Sequence, residues 1–312
     1  MSATSGIVRA LVGPTASGKT DASIPLAKAL RAEILSIDSM VVYRGMDVGT
    51  AKATPTERAA VPHHLLDLVE PTEPFSVAQF ARLASEAADG VRSRGNRVLL
   101  VGGSGLYFRA VVDGLRFPGT EAETRALLEA EASALGPGAM YRRLADVDPV
   151  AASRIEQANV RRTVRALEVA GVTGRAFSSF AADWERYPEE HVRAAGIDVP
   201  REILQERIER RVAGMMPGLL AETRGLVEMG AGRFITSSQA IGYAEAFACL
   251  EGRLSEGEAV ARTTRRTKNL ARRQLAWFRR DPRIRWFSVG EEGAIGALDA
   301  LIRYLGEERE DA

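Results

Sequence analysis

The sequence predicts an α/β protein, a P-loop NTPase-like parallel sheet flanked by helices and interrupted by an all-helical insertion. Three observations lead there. Short apolar runs at 7–12, 33–37 and 97–101 alternate with helical segments, the pattern of parallel strand–helix units with right-handed crossovers. The first run delivers the chain into Gly13-Pro14-Thr15-Ala16-Ser17-Gly18-Lys19-Thr20, a match to G-x-x-x-x-G-K-[ST]. From about 120 to 182 helix follows helix with no strand between them. The expected organisation is therefore 1–119 as the first part of the core, 120–182 as the insertion, and 183–312 as core completion with a basic helical arm.

Composition sets outer limits. Of 312 residues, 46% are apolar, enough for a sizeable core. The formal charge of +1 means that any contact with a polyanion must come from a local basic patch. Cys249 is the single cysteine, so no intrachain disulfide forms, which fits a reducing compartment. No apolar run approaches the ~20 residues that span a bilayer. The N-terminus passes from small polar residues into the first strand without a charged leader, and an unprocessed, cytoplasmic protein without a membrane partner is expected.

In chain order, the glycine-rich turn followed by a helix at 21–30 aims unpaired N–H groups at the turn and makes an anion cradle. Its usual occupant is a nucleoside triphosphate such as ATP. Lys19 supplies a point charge to the outer phosphate, and the Thr20 hydroxyl is the candidate ligand for Mg²⁺. The second strand ends at Asp38-Ser39, which places a carboxylate at the carboxyl edge of the sheet. Two readings of Asp38 stand open, a base or Mg²⁺ partner facing the phosphates and an Asx turn closing the strand. The segment 43–52 reads as a long loop near the site, with Gly45, Gly49 and Lys52 as hinge or contact residues. His63 and His64 point apart on a strand, so a polar strand end is expected rather than a metal site.

Ser76 with Gln79 forms a capping box for a helix to 94, and Val77, Phe80, Ala84, Ala87 and Val91 make its buried face. The third strand ends in Gly102-Gly103-Ser104-Gly105 where a Walker-type hydrolase usually has an acid, which counts against ATP hydrolysis. Those glycines read either as sites of close approach to a ligand or as a plain tight turn. In the insertion, helices at 121–135, 139–147, from 149 and at 161–170 are expected. Arg161, Arg162 and Arg165, with Arg125 nearby, form an arginine cluster without evident acids, suited to phosphate contact. A strand at 191–199 precedes a helix at 201–212 bearing Arg207, Arg210 and Arg211, one of which is placed to reach the phosphates. Further helices are expected at 217–229, after Tyr243, from the capping box Ser255/Glu258 to about 280, and at 294–305. Residues 253–285 hold eleven Lys or Arg against three acids, with Trp277 and Phe278 interleaved and Trp286 and Phe287 just beyond. That composition suits a nucleic-acid backbone with stacked bases.

Taken together, GPTASGKT, DSMVVYRGMDVGTAK, PHHLLD, VGGSGLY, RALEV, RIERRV, AIGY and RRQLAWFRRDPRI resemble, in order and separation, the bacterial tRNA dimethylallyltransferases, the isopentenyl-tRNA transferase family. The resemblance implies Mg²⁺-dependent transfer of a dimethylallyl group from dimethylallyl diphosphate to the exocyclic amine of the adenosine 3′ to the anticodon, by a monomer that binds the anticodon stem-loop. It further implies diphosphate binding by Gly13 to Thr20, Asp38 as the general base, Ser104 at the target adenosine and Arg211 on the diphosphate. The segments it assigns to tRNA are Asp38, Ser39, Met40 and Val41; Ser104; Arg125; Arg161, Arg162, Thr163, Val164 and Arg165; Gln239, Ala240, Ile241, Gly242 and Tyr243; and Arg272, Arg273, Gln274, Trp277 and Arg279. The chain departs from the family pattern at Val41, commonly Gln, at Ser104, commonly Thr, and at Asn159, commonly Asp. A phosphate-loop kinase of a small metabolite is the competing expectation; it leaves the basic arm and the arginine-bearing insertion without a role.

Overall fold

A computed structural model describes residues 7–115, 117–184, 186–188, 191–230 and 240–307. Two compact units result, one of Met1–Gly114 with Pro188–Ala312, the other of Leu115–Tyr187.

The larger unit is built on a parallel sheet ordered β3-β2-β4-β1-β5-β6, from β1 (Val8–Val12), β2 (Ala32–Ile37), β3 (His63–His64), β4 (Arg97–Gly102), β5 (Val192–Asp198) and β6 (Ile284–Ser288). All five residues of β1 are buried, as a central parallel strand covered on both faces requires. Helices α1 (Lys19–Leu30), α2 (Pro55–Ala60), α3 (Val77–Ser93) and α4 (Gly105–Val112) follow the first strands. The capping box of α3 is present, with Ser76 accepting from Gln79 N and Gln79 returning to Ser76 N. Phe80 of α3 stacks on Tyr107 of α4 with centroids 4.1 Å apart. His64 turns to Glu33 (2.6 Å) and His63 to Val61 O (2.8 Å), so the two rings diverge as the strand pattern required.

The smaller unit holds α5 (Ala122–Val147), α6 (Pro149–Arg154) and α7 (Val160–Thr173) around Leu128, Met140, Leu144, Ile155 and Leu167. Gly136, at φ 78°, ψ 167°, breaks α5 where the sequence placed a helix end. The α7 helix runs through Gly171, the expected stop, and ends at Gly174 in the left-handed conformation that glycine adopts without strain.

Three further helices complete the larger unit: α8 (Arg201–Glu228), α9 (Tyr243–Leu250) and α10 (Glu256–Phe278); α11 (Leu298–Gly306) closes it. Two expectations are corrected here. The helices predicted at 201–212 and 217–229 are one, because Pro217 lies inside α8 rather than starting a new helix. Residues 284–288, read as part of the basic arm, form strand β6, whose Ile284 and Trp286 pack against Gly196 of β5.

A buried ion network ties the ends of this unit's segments. Arg109 pairs with Asp113, and the Arg283 guanidinium reaches Asp113 Oδ1 (2.5 Å), Asp281 Oδ2 (2.7 Å) and the carbonyl of Pro188 (3.1 Å). Asp113 and Pro188 are the residues beside which the chain leaves for the helical unit and returns from it.

Candidate active site

Neighbouring strands β2, β4 and β1 end side by side, so the residues just after Ile37, Gly102 and Val12 meet at one edge of the sheet. After β1 the backbone takes Gly13 at φ 153°, Ala16 at φ 63° and Gly18 at φ 80°, and α1 starts at Lys19. Turns of this kind, ahead of a helix N-terminus, turn N–H groups inward. Lys19 Nζ lies 2.5 Å from Pro14 O and 3.2 Å from Ser17 Oγ. Burial, followed by the nearby Arg211, brings its pKa down to about 7, while Asp38 acts in the opposite sense.

Asp38 closes the strand as an Asx turn and also stands beside two cations. Its Oδ1 accepts from Met40 N at 2.8 Å, an Asx turn, and its carboxylate lies in the field of Lys19 and Arg211. Burial raises its pKa, against the backbone bond from Met40 and the two cations. Of Arg207, Arg210 and Arg211 on α8, Arg211 enters this field. Arg207, one turn earlier, bonds the carbonyls of Ala16 and Glu291 and also lines the phosphate-loop cavity, and Arg210 is exposed. The 3.6-residue period puts 207 and 211 on one face and turns 210 away.

Two cavities open from this point. One of about 450 Å³ is lined by Asp38, Ser104, Thr50, Arg211, Arg273 and Gln274, with Met40, Ala240 and Ile241 also at its wall. The other, of about 1000 Å³, runs along the loop from Thr15 to Thr20 and past Val41, Thr50 and Lys52. Thr20 is exposed at this second cavity, and among the described residues no cluster of three His, Cys, Asp or Glu forms a metal site. Ser104 caps α4 by accepting from Tyr107 N (3.4 Å), and its hydroxyl lies at the first cavity.

The glycines of 102–105 have a third explanation, missed in both sequence readings. A methyl on Gly103 would meet Gln274 Nε2 at 2.3 Å, and one on Gly105 would meet the Trp277 ring at 2.5 Å. They let α10 press on the sheet edge. Gln274 Oε1 thereby accepts from Thr15 N at 2.9 Å, joining the basic arm to the phosphate-loop motif. Arg273 and Gln274 face the Asp38 cavity. Arg272 and Arg279 flank the opposite side of α10 at a hollow of about 1170 Å³, with Arg279 bonded to Asp198 (3.1 Å).

The remaining predicted tRNA residues divide by exposure. Arg161 and Arg162 are exposed, whereas Thr163 and Val164 are buried on the inner face of α7 and offer no side chain to a surface. The arginine cluster does have an acid. Glu168, fully buried, accepts from Arg125 (2.7 Å) and Arg165 (2.8 Å), and these bonds hold its pKa down although burial opposes them. Arg165 also donates to Pro118 O. The i, i+3 spacing of Arg165 and Glu168 was the available signal. Val41 is buried at 5% exposure, and Tyr243 is fully enclosed, bonded to Glu222 and Gly49. Ser39 lies at the wall of the Asp38 cavity, Gly242 is buried and lines neither cavity, and Gln239 lies outside the described residues.

The fold and this edge define a P-loop-like α/β enzyme. A family model described as IPP transferase matches residues 41–281. The chain is 47% identical over 301 residues to a tRNA dimethylallyltransferase of Salinispora tropica, covering 96% of this chain and 93% of the relative. It is 49% identical over 296 residues to one of Streptomyces avermitilis, covering 94% and 93%. The full-length tRNA isopentenylpyrophosphate transferase of Bacillus halodurans has the same fold, with a TM-score of 0.70, 38% identity and coverage of 96% and 95%. The chain belongs to the IPP transferase family.

Proposed function

We infer that this chain is a tRNA dimethylallyltransferase, moving the dimethylallyl group from dimethylallyl diphosphate to the exocyclic amine of the adenosine 3′ to the anticodon and releasing diphosphate. The observation that carries the reading is the convergence of Lys19, Arg211 and Asp38 where the two cavities meet. Cleaving the allylic C–O bond leaves its electron pair, and growing negative charge, on diphosphate. Lys19, Arg211 and the loop amides face that charge, and preorganised donors of this sort supply the largest share of catalysis. The target base leaves the anticodon-loop stack, at a cost of a few kcal/mol. Its amine nitrogen attacks the allylic carbon, and Asp38 takes the displaced proton. In this reading the Ser104 hydroxyl holds the adenine edge, and Arg273 the adjoining phosphates; both line the Asp38 cavity.

Thr20 presents a hard oxygen beside the phosphate-loop motif, with no carboxylate cage around it. That donor set fits Mg²⁺, which keeps several waters and is held largely by substrate phosphates. When bound, the ion neutralises charge on the leaving diphosphate.

The kinase alternative finds less support. The 290–294 turn lies on the loop, with Ala294 N donating to Ser17 O at 3.1 Å, and a methyl on Gly18 would meet Ala294 N at 3.1 Å. A small metabolite would also leave the basic arm, bonded to the loop through Gln274, without a role. The test is to incubate protein, Mg²⁺ and unmodified tRNA with dimethylallyl diphosphate or with ATP, followed by nucleoside mass analysis. A dimethylallyl adduct with the first donor is expected. No adduct, with ATP consumed in a metabolite screen, overturns the reading.

A further inference from the structure

The loop from Met46 to Thr50 has a wall role at the site, and its restraints come from residues that no step above uses. Asp47, Val48 and Gly49 present three successive N–H groups, an arrangement that attracts an anion. Glu222 of α8 supplies it, its Oε2 accepting from Asp47 N and Val48 N, each at 2.9 Å. The third N–H, of Gly49, donates to the Tyr243 hydroxyl at 3.2 Å, and that hydroxyl donates to Glu222 Oε1 at 2.5 Å. Burial and the adjoining Glu222 raise the phenol's pKa, so it remains a donor. Gly49 lies directly on the ring, where a methyl would come within 2.4 Å. At the loop's far end the buried Lys52 ammonium meets Tyr43 O (2.6 Å), Asp67 (2.7 Å) and Asp47 (2.6 Å), three acceptors for three donors. Thr50, between these restraints, lines both the Asp38 cavity and the phosphate-loop cavity.

We propose that Tyr243, acting with Glu222, is a positioning residue that fixes the 46–50 loop as the wall where donor and acceptor are aligned, and that it does not touch RNA. The role rests on the transfer reaction proposed above. Small misplacements of reacting groups cost about 10²-fold in rate, so Tyr243→Phe, which removes only the hydroxyl, should lower kcat by about 10- to 100-fold and change the KM for tRNA by less than about threefold. Amide exchange at 47–49 should quicken in the same variant. Gly49→Ala, which displaces the loop from the same ring with the hydroxyl intact, should reproduce the kcat loss.

Single-turnover kinetics, tRNA titration and hydrogen exchange on the intact protein read all three. A raised KM for tRNA with unchanged kcat makes Tyr243 an RNA contact and overturns the proposal. So does a kcat loss that vanishes at a temperature where the variant is fully folded. Wild-type protein that forms no product refutes the transfer reaction and this role together. Wild-type turnover with an unaffected Tyr243→Phe refutes the role alone.

Discussion

Replacing Asp38 by Asn separates the turn that this side chain makes from the proton transfer proposed for it. The Asx turn needs only an acceptor oxygen for Met40 N, now 2.8 Å away, and the Asn carboxamide oxygen supplies one. Asp38→Ala would release the turn as well, confusing proton transfer with loop geometry. What Asn removes is the base and the negative charge. General-base assistance is worth about 10² to 10⁴ in rate, and tenfold corresponds to about 1.4 kcal/mol, so the barrier should rise by about 2.7–5.4 kcal/mol. The charge acts on binding with the opposite sign. Asp38 stands beside Lys19 and Arg211, where it opposes an incoming diphosphate, and its loss at pH 6, where Lys19 remains protonated, should tighten donor binding. Single-turnover transfer from labelled dimethylallyl diphosphate, with tRNA affinity measured separately, distinguishes these effects. A rate within tenfold of the parent, or tRNA affinity lost in step with rate, would refute the base assignment.

Five further outcomes are expected. Lys19, with its pKa brought down to about 7 by burial and Arg211, is charged below that pH and neutral above it, so donor affinity should fall as pH rises through 7; Lys19→Arg should remove the fall, and a wild-type profile flat from about pH 6 to 9 would contradict it. Replacing Arg272 and Arg273 together with Ala should weaken tRNA binding and reduce the salt slope by about two phosphate contacts. Gly102→Ala, whose methyl meets Ile37 O at 2.5 Å, forces backbone to move and should cost about 1–3 kcal/mol in urea unfolding. Gly103→Ala meets a movable Gln274 tip instead, so it should unfold near the wild-type midpoint but bind donor more weakly through loss of the bond to Thr15 N. Arg283→Met strands the buried Asp281, leaves Asp113 with Arg109 alone, and should cost about 3–5 kcal/mol by the same unfolding assay.

What could be read from the sequence was what local chemistry decides. The phosphate-loop motif, the capping boxes of α3 and α10 and the period-3.6 face of α3 are short-range patterns, and each is where it was expected. Pro217 misled because proline at a helix's first position is common; α8 carries it on an exposed side and continues. Strand β6 was hidden by Arg283 and Arg285 on either side of Ile284, charges that look solvated until Asp113 and Asp281 are brought beside the first of them. Asp38 and Arg211, 173 residues apart, were joined only through the resemblance. The Gln274 bond to Thr15 and the Tyr243–Glu222–Gly49 arrangement carry no local signal, because each joins segments more than twenty residues apart through a single polar atom. Glycine spacing recorded their presence but not their partners.

One guanidinium nitrogen, Nη1 of Arg283, bonds both Asp113 and the carbonyl of Pro188. The two acceptors therefore lie within about 6 Å of each other, a gap that two or three residues of chain can span. Topologically the 73-residue segment Leu115–Tyr187 is a cassette inserted through a single doorway, and the sheet's strand order does not depend on it. Evolution can lengthen, shorten or replace such a cassette without renegotiating the core, so its exposed arginine-bearing surface and the chemistry at the sheet edge are free to diversify at different speeds within one gene.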